Sequence, residues 1–290
     1  MDKTYTFLSG KKRVGMKFEL HCHSHYSKGK KIPVEGLDSP AEMMRAAKKL
    51  GLDGLALTDH STNRGWEEAS QEAKKQGMLF VPGIEISSLE GHILGLGLTD
   101  YVKSGLSVEE TLEKIREQGG VSIAAHPFDI RRDGTGKASL KADAIEAFNS
   151  MNLDRFSNRR SSKLALQNSR PAVSGSDAHT KEMLSMSINH IEAHDLDSCL
   201  KAIKAGKVSF TGRYMALDRL IPWTKQRMLL SYGQIWQYTE SRYSQPKRWF
   251  SQRLLHAFTS SRREAPWYWL GELGLACSRG YGLAKVLGHS

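Results

Sequence analysis

One regularity constrains the fold of this chain more than any other. Nearly every short apolar run between residues 16 and 179 meets a histidine or a carboxylate at its end. Residues 16–20 run into His21 and, past Cys22, His23; residues 55–58 stop at Asp59 and His60. Residues 79–86 carry Glu85, residues 92–98 begin at His92, residues 121–125 deliver His126, and residues 172–175 lead to Asp177 and His179. Helical signals fill the intervals. Ser39-Pro40-Ala41-Glu42 has an N-cap serine, a first-turn proline and a glutamate three residues on, with Gly51 as a stop. Residues 66–76 and 157–168 read as helices, and Ser107 with Glu110 opens another that ends at Gly119-Gly120. Alternating strands and helices predict a parallel sheet or barrel, whose C-terminal strand ends share one face. Ligands far apart in sequence can then meet in one cleft.

The residue types and spacing say what that cleft could hold. In a strand, positions i and i+2 point to the same side, so His21 with His23, and Asp177 with His179, can chelate an ion. His92 can join Glu85 if a tight hairpin connects their strands. A carboxylate in an apolar strand is costly without a partner, which singles out Glu85 and suits it to bridge two ions. Each motif alone has an ordinary explanation: a turn capped by Asp59, or a core histidine at His92 or His126. Their succession at strand ends is what points to metal. Imidazole and carboxylate without thiolate suit Zn, Mn or Fe.

Taken in order, His21-Cys22-His23-Ser24, Leu57-Thr58-Asp59-His60, Pro82-Gly83-Ile84-Glu85, Gly91-His92-Ile93-Leu94-Gly95, Ala125-His126-Pro127 and Gly175-Ser176-Asp177-Ala178-His179 closely resemble the PHP (polymerase and histidinol phosphatase) domain over residues 16–215. The resemblance implies a distorted (β/α)7 TIM-like barrel with two or three divalent ions that hydrolyses phosphoesters. It also implies a ligand set. His21, His23, Glu85 and Asp177 would hold one ion, Glu85 would bridge to a second held by His92 and His126, and His60 and His179 would serve a third. Hydrolysis would proceed by a metal-activated hydroxide, with Glu85 and His179 as catalytic candidates. Where the family commonly has Ser-Asp-Gly, with the aspartate a ligand of the third ion, this chain reads Ser27-Lys28-Gly29. A protonated lysine cannot ligate, so the third site is lost or weakened, or His25 or water substitutes. Lys28, and Arg159 beside Arg160 and Lys163, are candidates to bind substrate phosphate.

The net charge of +11 is unevenly spread. Residues 211–290 carry twelve Lys/Arg against four Asp/Glu, and five of the six tryptophans lie in that stretch. This change of character divides the chain into a hydrolase domain over 1–215 and a basic, aromatic, helical extension over 216–290. The extension suits single-stranded nucleic acid, an anionic membrane surface or another protein, or packs on the barrel as a cap. Three scattered cysteines exclude a disulfide framework or zinc ribbon and favour a reducing, cytoplasmic setting. No apolar stretch is long enough for a membrane span. The expected activity is hydrolysis of a phosphate ester on a small molecule or nucleotide. A nuclease or nucleotide 3′-phosphatase whose tail binds nucleic acid is the alternative, and a non-catalytic metal-binding scaffold is a third reading.

Overall fold

A computed structural model describes residues 5–8, 15–29, 32–131 and 133–287. In chain order its elements are β1 (Tyr5–Leu8), β2 (Met16–Cys22), α1 (Pro40–Lys49), β3 (Gly54–Leu57), α2 (Trp66–Gln76), β4 (Leu79–Ser87), β5 (His92–Leu96), α3 (Val108–Glu117), β6 (Val121–Ala124), β7 (Ala144–Asn149), α4 (Phe156–Gln167), β8 (Ala172–Gly175), β9 (Ser187–Ile191), α5 (Leu196–Lys204), β10 (Val208–Gly212) and four C-terminal helices. Those helices are α6 (Leu217–Leu230), α7 (Tyr232–Arg242), α8 (Lys247–Ser260) and α9 (Ala265–Leu287).

Both predicted capping boxes form. The Ser39 hydroxyl accepts from the Glu42 backbone N–H while the Glu42 carboxylate accepts from that of Ser39, and Ser107 pairs with Glu110 in the same way. Each box satisfies helix-terminal N–H groups that would otherwise lack partners. The helices can therefore start abruptly beneath the strands they cover.

The strands form one sheet in the order β1-β10-β9-β2-β3-β4-β5-β6-β7-β8. Strands β2, β3 and β4 are parallel, as are β6, β7 and β8. Within the otherwise parallel barrel β5 runs antiparallel to both neighbours, through the tight hairpin that would let His92 join Glu85. The reason is length. Four residues separate β4 from β5, far too few for a crossover helix, and the Ser88 N–H donates to the Gly91 carbonyl to close a hairpin. Gly91 holds φ 151°, and a Cβ there would lie 2.5 Å from the Gly134 carbonyl carbon.

Strands β2 to β8 curl into the expected seven-stranded barrel. It closes where β8 meets β2: Cys22 bridges Ala178 in parallel register, and the His23 N–H donates to the Ala178 carbonyl at 2.8 Å. The buried Asn189 amide crosses the same seam, accepting from the Ser174 N–H and donating to the carbonyls of Ser174 and Phe18. Strands β9, β10 and β1 extend the sheet beyond β2 as an antiparallel flap. These three strands and α5 lie outside the sequence reading.

The C-terminal segment is helical, as expected. Trp223 of α6 is buried in the cluster that also holds Met43 and Met44 of α1 and Leu55 and Leu57 of β3. Farther along, Gly282 of α9 meets Phe156 and Asp154 so closely that a Cβ would lie 2.9 Å from the Phe156 ring. Among the described residues no helix is long and apolar enough to cross a membrane.

Candidate metal centre

The barrel mouth gathers the predicted ligands from six strands. Glu85 lies at its centre. Its Oε2 stands 3.3 Å from His21 Nε2, 3.3 Å from His23 Nε2 and 3.1 Å from His60 Nδ1. Its Oε1 stands 2.8 Å from His92 Nδ1 and 3.0 Å from His126 Nε2. Asp177 Oδ1 completes the first group, 3.2 Å from His23 Nε2 and 3.6 Å from His21 Nε2. Reversed β5 therefore supplies its first residue to the mouth, where the parallel strands supply residues near or just past their C-terminal ends.

Close approach without hydrogen bonding marks these groups as convergent. His23 Nε2, His92 Nδ1 and His179 Nε2 are buried and have no hydrogen-bond partner, although carboxylate oxygens lie within 4 Å of each. They aim at shared points between the side chains rather than along donor–acceptor lines. Ligand atoms about 2.1 Å from a tetrahedral ion stand about 3.4 Å apart, which is the spacing of the group formed by His21, His23, Glu85 and Asp177. Three sets bring ligand atoms within 4.8 Å of one another: His21, His23 and Glu85; His60, Glu85 and His92; and His23, His60 and His179. The residues fit the two or three divalent ions that the resemblance implies.

The electrostatics agree. At His21, His23, Glu85 and Asp177 burial opposes charge, yet the neighbouring groups decide the outcome. Burial would lower His21, but Glu146, Asp177 and Glu85 hold it well above its usual value. His23 is likewise raised to about 10 despite burial, through Asp177 and Glu85. The histidines in turn keep the Glu85 and Asp177 carboxyls well below the usual carboxylate range. His60 goes the other way, pushed down to about 4 chiefly by burial. A cation held by these groups would displace any proton on the ligating nitrogens of His21 and His23.

Backbone strain sits at the same place. His126 and Asp177 hold φ 27° and 52°, in the left-handed region that non-glycine residues rarely adopt. Such conformations persist where the surroundings over-determine them, as at ligand clamps.

A supporting layer orients the ligands, and the sequence reading did not identify its main member. Glu146 of β7 places Oε1 2.9 Å from His21 Nδ1, while its Oε2 accepts from the His126 N–H at 2.7 Å and from the Asn149 amide at 3.0 Å. Its signal was available: a carboxylate within the apolar run Ala144-Ile145-Glu146-Ala147-Phe148, the same kind of anomaly that singles out Glu85. Asp59 proves to be a brace. Its oxygens accept from the Ser24 N–H and hydroxyl at 2.6 Å each, fixing the turn after His23. Outer partners of this kind typically change metal affinity 10–100-fold. Glu146→Gln is accordingly expected to weaken Zn binding by about that factor, measured by calorimetric titration; wild-type affinity would rule out the orienting role.

The two candidate substrate residues differ in placement. Lys28 lines the cavity outside the ligands and is exposed, its Nζ donating to the His25 carbonyl. His25 lines the same cavity. Arg159 is exposed on α4 with its guanidinium over Phe156, and does not line the cavity. The face of α4 turned inward carries Ser157, Asn158, Ser161, Ser162 and Ala165, which leaves Arg159 pointing outward. Two arginines that the sequence did not single out, Arg131 and Arg227, line the cavity instead.

Comparison with known proteins gives the same picture. The PHP domain matches residues 19–160, and the PHP-associated region matches residues 155–208. An uncharacterized protein of Methanocaldococcus jannaschii is 41% identical over 150 residues, which cover 49% of this chain and 87% of that protein. A 5′-3′ exoribonuclease of Haemophilus influenzae and a 3′,5′-nucleoside bisphosphate phosphatase of Chromobacterium violaceum are each 35% identical, over 111 and 117 residues. Those matches cover 37% of this chain and only 38% of either enzyme. The crystal structure of a two-domain Bacteroides vulgatus protein containing a predicted PHP-like metal-dependent phosphoesterase superposes with a TM-score of 0.56. It covers 74% of each chain at 18% identity, a likeness of fold. Ordered ligand motifs, a seven-stranded barrel and these matches lead to one conclusion: the chain belongs to the PHP family of metal-dependent phosphoester hydrolases.

Proposed function

We propose that the chain hydrolyses a phosphate ester of a small molecule or nucleotide, with its ions held by His21, His23, Glu85 and Asp177 and by Glu85, His92 and His126. The observation that carries this reading is a cavity of ≈ 1060 Å³ at the ligand cluster, lined by His60 and His92 together with Lys28, Arg64, Arg131 and Arg227. Its size suits a nucleotide-scale ligand. Its cations suit phosphate, which guanidinium groups bind through two parallel hydrogen bonds. The ions, when bound, supply a nucleophile at neutral pH and neutralise charge on the phosphoryl oxygens.

The chain's own groups bind and orient. Arg131 is fixed by Asp129, with Nε 2.7 Å from Oδ2, so its fork is already ordered for a phosphate. Lys28 can reach the outer edge of the same substrate. His179 lies beneath the Trp223 ring, centroids 5.0 Å apart, and does not line the cavity. That placement favours a ligand's role for it over that of a proton donor to the leaving group.

Cation–aromatic pairs at and just before α8 favour a second reading, in which the tail guides a nucleic-acid strand to a nuclease or 3′-phosphatase site. Arg253 lies over Trp249, and Lys247 over Tyr243. One assay separates the readings. With Zn, Mn or Fe present, p-nitrophenyl phosphate, its diester, nucleoside bisphosphates and short oligonucleotides are offered in parallel. Turnover of the monoester and bisphosphates, with little on oligonucleotides, is the expected result. Preference for oligonucleotides with steep salt dependence would favour the second reading, and no turnover with any of them would sink both.

A further inference from the structure

The turn that follows the first ligand pair carries an acid the chemistry above leaves unused. Lys28 occupies the position where the resemblance calls for a ligating aspartate, and its ammonium is turned outward to the His25 carbonyl. The backbone compensates. Lys28 pairs with Val34 in an antiparallel bridge, and the Gly29 N–H donates to the Pro33 carbonyl at 3.2 Å. That pairing places residue 35 opposite position 27, next to Lys28, across the turn.

Glu35 reaches inward from there. Its Oε2 lies 3.4 Å from His60 Nε2, and its Oε1 lies 3.7 Å from His179 Nε2. Neither Oε2 nor His179 Nε2 is hydrogen-bonded, although both atoms are buried. A plain ion pair would let one oxygen and one ring nitrogen align. Here the two oxygens splay towards two rings, at separations near the 3.4 Å or so expected between ligands of one tetrahedral ion, while the Arg227 guanidinium stands 3.8 Å from Oε1 on the outer side. Two neutral imidazoles alone would leave a dication uncompensated; a carboxylate corrects that.

We propose that Glu35 is the carboxylate ligand of a third divalent cation, held with His60 and His179, and that helix α6 positions it. This inference rests on the metal-dependent reading above. The positioning contacts are specific to the C-terminal segment. Trp223 Nε1 donates to the Glu35 carbonyl at 2.8 Å, Arg227 Nε donates to the Val34 carbonyl at 3.1 Å, and the Ser231 hydroxyl accepts from the Val34 N–H at 3.1 Å. Three side chains of one helical stretch thus hold the backbone of two consecutive residues, Val34 and Glu35. The same Trp223 ring covers His179, so the helix braces two members of the group. The extension becomes part of the centre.

The test counts ions. Full-length protein is equilibrated with Zn, and bound metal per chain is measured by mass spectrometry, with a thermal melt to verify folding. The wild type is expected to hold three ions, Glu35→Gln two, and Lys28→Ala three. Trp223→Phe keeps the ring but loses the N–H, and it should weaken the loosest ion about 10-fold in a calorimetric titration while sparing the tighter two. Two ions in the wild type, or three in Glu35→Gln, would overturn the inference and leave the dinuclear hydrolase standing. A wild type that binds no ion would overturn the metal-dependent reading and this one with it.

Discussion

Glu85→Gln is expected to fold and yet lose more than about 100-fold in phosphoester turnover, beyond the usual cost of removing a mere outer partner. No other side chain in the centre touches so many ligands. Its two oxygens contact His21, His23 and His60 on one side and His92 and His126 on the other, all between 2.8 and 3.3 Å. An amide of the same shape offers one oxygen and turns an N–H donor towards the remaining rings, and it carries no charge to offset two cations. Bound metal should fall together with the rate. Metal analysis beside steady-state kinetics decides the matter: full metal content with an unchanged rate would remove Glu85 from the bridging position.

Gly175→Ala should be strongly damaging although it alters no ligand candidate. A Cβ at this position would lie 2.1 Å from Glu146 Oε1 and 2.5 Å from the His21 Cβ. Neither neighbour has room to retreat, because Glu146 is tied to the His126 backbone and the Asn149 amide, and His21 is fixed in β2. Overpacking of this sort costs about 1–3 kcal/mol, and each kcal/mol lowers the melting temperature by roughly 2–4 °C in a domain of this size. Displacing Glu146 also frees the His21 ring, so metal affinity should fall by a further 10–100-fold or so. Gly233→Ala is the matching control, since a Cβ there meets nothing within 4 Å. Wild-type metal affinity in Gly175→Ala would show that the clamp on His21 is dispensable.

The convergence of the candidate ligands was legible in the sequence because the barrel's own regularity displays them. Each strand is a short apolar run, so a histidine or carboxylate at its end stands out against its neighbours, as His21, Asp177 and His126 do. Glu146 was legible by the same logic but sits within its strand rather than beyond it. Arg159 shows a different limit. The inward face of α4 is built from serines and an asparagine, so no apolar stripe records which way the helix is turned, and a basic residue two positions from Ser157 looks as available as any other. Glu35 and Arg227 were harder still. One reaches the site through a turn whose pairing is not encoded in any periodic pattern, and the other arrives from a helix nearly 200 residues further along. Strands β9 and β10 carry no ligand, and nothing in their mixed polar and apolar residues advertised them.

The seam between β8 and β2 gives the centre a mechanical meaning. One parallel bridge, the Asn189 amide and the Glu19 carboxylate, which accepts from the Ser176 N–H, join these strands where continuous strand pairing joins the others. His23 and Asp177 face each other across that join, 3.2 Å apart and some 150 residues distant along the chain. A cation gripped by both would act as a rivet, closing a covalent loop of a length for which a crosslink contributes about 5 kcal/mol. On this view the barrel and its chemistry share a fastening, and a chain stripped of metal would be expected to part first along the line where its two ends of the sheet meet.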